Sequence, residues 1–212
     1  MTTISADMDS TVNFLDPLRL LSDCHRRVER FLNLLLKVGE EAQGGELTVE
    51  QRDSLATSLR YFQTGTALHN ADEEESLFPR LRAADRPVID EVLGTVDRLE
   101  FEHRVAEEGH REVERLGWRW FSKGRLAQDE SEEFNRILRK LRTLYDRHIA
   151  IEDRLLFAVA ANELSPDAIR EIGVEMAVRR GLDPDDLQPV ARCTARRLQR
   201  QSGADSDGIL WR

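Results

Sequence analysis

His69-Asn70-Ala71-Asp72-Glu73, followed by Leu77-Phe78, returns 79 residues later as His148-Ile149-Ala150-Ile151-Glu152, followed by Leu156-Phe157. Both stretches read His-x-x-x-Glu-x-x-x-Leu-Phe. Residues four apart on an α-helix share a face, about one turn apart. Each stretch therefore sends an imidazole and a carboxylate in one direction. Two such pairs on facing helices can hold metal between them.

The repetition extends outward. Leu55 and Phe134, and Leu59 and Leu138, follow the same shift, while His25 and His103 lie 78 apart. Each of these two histidines sits on the helical stretch preceding a His-x-x-x-Glu segment, and Leu21 and Leu99 stand four residues before them. Apolar residues recur at helical spacing through Leu21, His25, Val28, Leu32 and Leu35, and again through Leu55, Leu59, Phe62, Thr66, His69 and Glu73. A third stripe carries Val92, Val96, Leu99, His103, Ala106 and His110, and a fourth Phe134, Ile137, Leu141, Tyr145, His148 and Glu152. Two similar helical hairpins packed face to face predict an all-α, antiparallel up-down four-helix bundle over residues 16–162.

Boundary signals divide the chain. Asp16-Pro17 reads as an N-cap with proline at the first helical position, and Thr48 with Gln51 as a capping box. Gly44-Gly45 is expected to close the first helix and Pro79 to stop or kink the second. Gly117 to Gly124 reads as a break, with Trp118 and Trp120 in it covering the bundle end, and the fourth helix starts near Asp129 to Glu132. Ser165-Pro166 caps a further helix to about Arg180, and a last piece spans Pro184 to Gln199, so 163–200 forms a C-terminal helical extension. Residues 1–15 read as a lead-in, and 201–212 as a tail too polar to offset its ordering entropy.

Composition narrows the classes. A net charge of −9 argues against nucleic acid as the main partner, and the clustered Arg192, Arg196, Arg197 and Arg200 read as a solvated helix face. No run of 18 apolar residues predicts a membrane span, and the N-terminus has no apolar core like that of a signal peptide, so a cytoplasmic protein is expected. Cys24 and Cys193, the 2 cysteines, make neither a disulfide framework nor the usual zinc pattern.

The converging set is His25, His69, Glu73, His103, His148 and Glu152. Four imidazoles and two carboxylates exceed what one tetrahedral zinc takes. They suit two six-coordinate ions bridged by the carboxylates. Iron is favoured, with manganese and zinc left open by ligand type. A single histidine on an apolar face is ordinarily a satisfied core residue. Six repeat-related polar groups on core stripes would be costly to bury without a cation.

The order His, His-x-x-x-Glu, His, His-x-x-x-Glu resembles the hemerythrin-like family, the HHE cation-binding domain, and Leu77-Phe78-Pro79 and Glu102-His103 resemble its flanking wording. The resemblance implies a four-helix bundle with a non-haem di-iron centre, and His25, His69, Glu73, His103, His148 and Glu152 as its ligands. Oxygen-carrying hemerythrins place another histidine where this chain has Glu107, and an aspartate five residues after the last histidine, whereas Glu152 stands four after His148. The expected function is therefore a di-iron protein that binds or senses a small oxidant or gas: oxygen, peroxide or nitric oxide. The alternatives are an iron-responsive regulatory module and a peroxidase- or oxidase-like enzyme. A homodimer or a protein partner is left open.

Four further residues have ordinary readings beside their functional ones. Glu107 is either an extra ligand or part of a solvated acidic face with Glu108 and Glu112. His110, seven residues past His103, lies about 10 Å along the axis and reads as a core or interface histidine. Tyr145 reads as a core aromatic with its hydroxyl paired, and alternatively as a hydrogen-bond donor to a bound oxygen species. Cys24 reads as a small buried hydrophobe.

Overall fold

The computed structural model describes residues 13–187. The expectations for residues 1–12, for the helical piece past Leu187, for the basic cluster and for the polar tail lie outside the described residues.

Helix α1 (Pro17–Ala42) starts on Asp16, whose side chain accepts from the Arg19 amide. It ends at Gln43 in the left-handed region (φ 47°), one residue before the expected glycine pair. Helix α2 (Val49–Asp72) opens with the Thr48–Gln51 capping box, Thr48 Oγ1 accepting from the Gln51 amide at 3.2 Å and Gln51 Oε1 from the Thr48 amide at 3.0 Å. Its rod continues through a π-helical turn, Glu73–Leu77, into α3 (Phe78–Ala83). Pro79 therefore does not stop the helix. It is the second residue of α3, where a missing N–H is tolerated. Helix α4 (Pro87–Lys123) is followed by α5 (Gln128–Ile151), a second π-helical turn Glu152–Leu156, and α6 (Phe157–Glu163). Helix α7 (Pro166–Arg179) is capped by Ser165 and followed by a 3₁₀ turn, Pro184–Leu187.

The expected break at Gly117–Gly124 is not there, because α4 runs unbroken to Lys123 and stops at left-handed Gly124 (φ 75°). Gly117 serves close packing instead: a Cβ there would lie 2.7 Å from Leu59 Cδ1 on α2. Trp120, fully buried, closes this end of the bundle from inside α4, its indole N–H donating to the Gly45 carbonyl at 2.8 Å.

The fold is an all-α bundle in which α1 packs on α2, α4 on α5, α1 on α5 and α2 on α4. Two apolar clusters fill it. One joins Val28, Leu32, Leu59, Phe62, Leu116, Trp120, Phe134 and Leu138. The other joins Leu21, Leu77, Phe78, Leu99, Leu156, Phe157, Ile172 and Met176, drawing in α7. Between these clusters the stripes carry the histidines and glutamates of the repeated motif. Among the described residues no helix is long and apolar enough to cross a membrane.

Candidate metal centre

Each of the four long rods contributes an imidazole to the layer between the two clusters. His25 comes from α1, His69 from α2, His103 from α4 and His148 from α5. Glu73 and Glu152 are the first residues of the two π-helical turns, where the Phe78 amide donates to the Glu73 carbonyl and the Phe157 amide to the Glu152 carbonyl. Such i→i+5 turns recur at functional sites in helices. All six side chains are buried, both carboxylates completely.

They form two overlapping groups. Ligand atoms of His25, His69, Glu73 and Glu152 lie within 4.8 Å of one another, as do those of His103, His148 and Glu152. Glu152 is shared: Oε2 is 3.1 Å from His25 Nε2 and Oε1 is 3.0 Å from His148 Nε2. Glu73 Oε2 stands between rods too, 3.6 Å from His69 Nε2 and 3.3 Å from His103 Nε2.

Three carboxylates outside this layer decide which nitrogens face inward. Asp153 accepts from His25 Nδ1 at 2.9 Å, Glu74 from His103 Nδ1 at 2.7 Å and Glu102 from His148 Nδ1 at 3.0 Å. A carboxylate can only accept here, so each Nδ1 carries its proton and each neutral ring turns the bare lone pair of Nε2 inward. His103 Nε2 and His148 Nε2 then face one another at 3.1 Å. Two lone pairs at that separation repel unless a cation or a proton sits between them.

The electrostatics agree. Among the described residues, neither oxygen of Glu73 or Glu152 has a hydrogen-bond partner, and His25 Nε2 and His69 Nδ1 are also buried without one. Burying such groups unsatisfied is expensive. Without a cation the charge falls to the imidazoles. Burial opposes protonation of His25, but Asp153 and Glu152 outweigh it and raise its pKa to about 10. His103 is likewise raised to about 10 by Glu73 and Glu74 against the effect of burial. For His69 burial wins and the pKa falls to about 4. Burial pushes the Glu152 carboxyl up, but the neighbouring imidazoles hold it below the usual carboxylate range. The donor set of nitrogens and carboxylates therefore fits metal cations, as a bundle-core site built from facing helices should.

The Leu-Phe ending of the motif also has a role. Phe157 stacks on His25 with centroids 5.5 Å apart, and Phe78 stacks on His103 at 6.2 Å. Each phenylalanine covers the histidine of the other hairpin. The outer carboxylates obey the same rule, since Glu74 and Asp153 each follow a motif glutamate and bond a histidine of the opposite hairpin.

Sequence reasoning singled out Glu102 only as the neighbour of His103, and missed Glu74 and Asp153. The signal for these two was present, because they are themselves 79 residues apart. Glu107 is exposed. His110 sits apart from the cluster, its Nε2 2.8 Å from the Tyr145 hydroxyl, and burial lowers its pKa to about 3. Cys24 is buried and accepts from Arg27 at 2.8 Å.

One feature of the layer depends on α7. Asp72, fully buried beside Glu73, receives Arg179 at 2.7 Å and Arg180 at 2.6 Å. Arg179 also donates to Ser76 Oγ at 2.6 Å within the first π-helical turn.

A four-helix bundle with a buried histidine–carboxylate layer across all its rods defines the class of cation-binding helical bundles. Within that class, the family model for the hemerythrin HHE cation-binding domain matches residues 16–160, and the chain belongs to this family. No match was found among curated proteins.

Proposed function

We propose that the chain is a non-haem di-iron protein that binds or senses a small oxidant or gas, namely oxygen, peroxide or nitric oxide. His25, His69, Glu73, His103, His148 and Glu152 would hold the two iron ions. The observation that carries this reading is the inward set of imidazole lone pairs, fixed by Asp153, Glu74 and Glu102 around two carboxylates that have no hydrogen-bond partner among the described residues. Six ligands in two groups sharing Glu152 match a pair of ions better than one. Iron bound there would supply electron-transfer chemistry and a Lewis acid for the small molecule. The chain's own residues orient the ligands, neutralise the layer and keep bulk water out with Phe78 and Phe157.

The iron-responsive module remains the second reading, favoured by the α7 contact to Asp72. A cation that binds only the folded layer stabilises it by mass action, and α7 is tied to that layer.

The test is anaerobic loading with ferrous iron followed by metal analysis and visible spectra before and after oxygen, peroxide or nitric oxide. About two irons per chain are expected, as in other di-iron bundles, with marked loss in His69→Ala and Glu152→Ala. A protein holding well under one iron per chain removes the reading. Full iron with spectra indifferent to all three small molecules removes the binding function while leaving the metal.

A further inference from the structure

Helices α4 and α5 leave a groove of about 320 Å³ along the outside of the second hairpin. Val105, Ile137, Leu141 and Leu144 give it an apolar floor, and Gly109 leaves a notch in it. Phe101 stands one turn before Val105 on the same face of α4. Phe101 is 57% exposed and Val105 41%. Single exposed apolar side chains are ordinary, but a phenylalanine and a valine beside an apolar groove form a patch of the kind that marks an interaction site.

The bundle does not need this patch for its own packing. The 78-residue shift between the hairpins places Asp23 where the second hairpin has Phe101, and Arg27 where it has Val105. Both are charged and exposed. The first hairpin therefore turns a solvated face outward where the second turns an apolar one.

The two walls of the groove differ in charge. Glu108 and Glu112 stand on the α4 wall, Arg136 and Lys140 on the α5 wall. Glu112 is paired with Arg115, and Arg136 with Glu133, each within its own helix. Glu108 and Lys140 make no salt bridge or hydrogen bond among the described residues. They stand at nearly the same height, because a Cβ on the next residue, Gly109, would lie 2.9 Å from Cδ2 of Leu141, the residue after Lys140.

This arrangement is self-complementary. Two copies that meet through the same face are related by a two-fold axis lying in the interface. With the axis across the groove, α4 would lie on α4 and acid would face acid. With the axis along the groove, α4 of each copy lies antiparallel over α5 of the other. Each Glu108 then faces the Lys140 of the other copy, and Phe101 and Val105 are covered by its α5.

We propose that the α4–α5 face is a self-association surface, on which a second copy of the chain docks about a two-fold axis running along the groove. The proposal is independent of the ion held between the rods.

The experiment is sedimentation velocity on the full chain across the micromolar range. Wild type should sediment as a dimer. Phe101→Gln replaces an exposed anchor and should give a monomer with unchanged helical circular dichroism. Glu108→Lys and Lys140→Glu should each weaken the dimer about tenfold, because each sets two like-charged pairs across the axis. The two substitutions together restore opposite charges and should return the affinity to near that of wild type. Val49→Gln, at an exposed site on α2, should leave the dimer unchanged. A wild type that stays monomeric throughout overturns the proposal and leaves the face to a different partner. A dimer that survives Phe101→Gln, or single charge reversals that the double variant does not rescue, places the contact elsewhere and overturns it too.

Discussion

Glu102 and Cys24 occupy equivalent places, each immediately before the first histidine of its hairpin, yet they do different things. Glu102 orients His148, while Cys24 turns to Arg27 and leaves His69 Nδ1 with no partner among the described residues. The two halves of the layer are therefore unequally braced. Glu102→Ala should lower metal affinity about 10- to 100-fold without removing a ligand, measured by competition with a chromophoric chelator. Affinity equal to wild type would mean that His148 needs no outer brace. His110 makes a separate prediction about pH. Its folded pKa of about 3 lies below the usual 6.5, so the unfolded chain takes the proton first as pH falls. The group therefore costs stability on acidification from about pH 6.5 to about pH 3, by about 1.4 kcal/mol per pH unit. His110→Leu, the residue found at the equivalent Leu32, should lose less stability than wild type over that window in urea titrations of metal-free protein. Parallel curves for the two proteins would contradict the buried neutral imidazole.

The two π-helical turns mark the scale at which helical periodicity stops being a sufficient guide. Both begin on a motif glutamate, and after the first one Ser76, Leu77 and Phe78 are all buried in succession. A regular helix would turn one of three successive residues to solvent. The wider turn lets the rod present Glu73 to the histidine–glutamate layer and still bring Phe78 over His103. Helix α7 depends on closeness of another kind. A Cβ on Gly173 would lie 1.9 Å from the Phe14 carbonyl oxygen, and backbone cannot move aside as a side-chain tip can. Gly173→Ala should cost about 1–3 kcal/mol, as overpacking does, and should speed amide exchange in α7 more than in α5. Unchanged exchange in α7 would show that the contact with Phe14 does not hold it.

At the scale of the whole molecule, the two hairpins supply a nearly symmetric layer, and α7, beyond residues 16–160 of the family match, breaks the symmetry. Asp72 has Ile151 at the equivalent place in the second hairpin. Its carboxylate is fully buried and neutralised by Arg179 and Arg180. Removing the partners of a buried charge is far more damaging than removing the whole set. Arg179→Gln combined with Arg180→Gln should destabilise the protein by about 3–5 kcal/mol and weaken metal binding through Glu73. Adding Asp72→Asn to that double variant should recover much of the loss. If the triple variant is no more stable than the double, burial of the Asp72 charge is not the cause.

The histidine–glutamate layer was legible in the chain because a helix converts spacing into direction. Histidine and glutamate four apart share a face in any surroundings, and a repeat of that pattern implies a paired helix of the same kind. Helix starts at Asp16, Thr48 and Ser165 were readable for the same reason, since capping is settled within a few residues. Tertiary structure alone decided the rest. His25 meets Asp153 across 128 residues, Arg179 meets Asp72 across 107, and Gly117 is a packing contact with Leu59 rather than a break. These outcomes depend on how far one rod slides and rotates against another, which is fixed by packing between residues remote in the chain and leaves no local periodic trace.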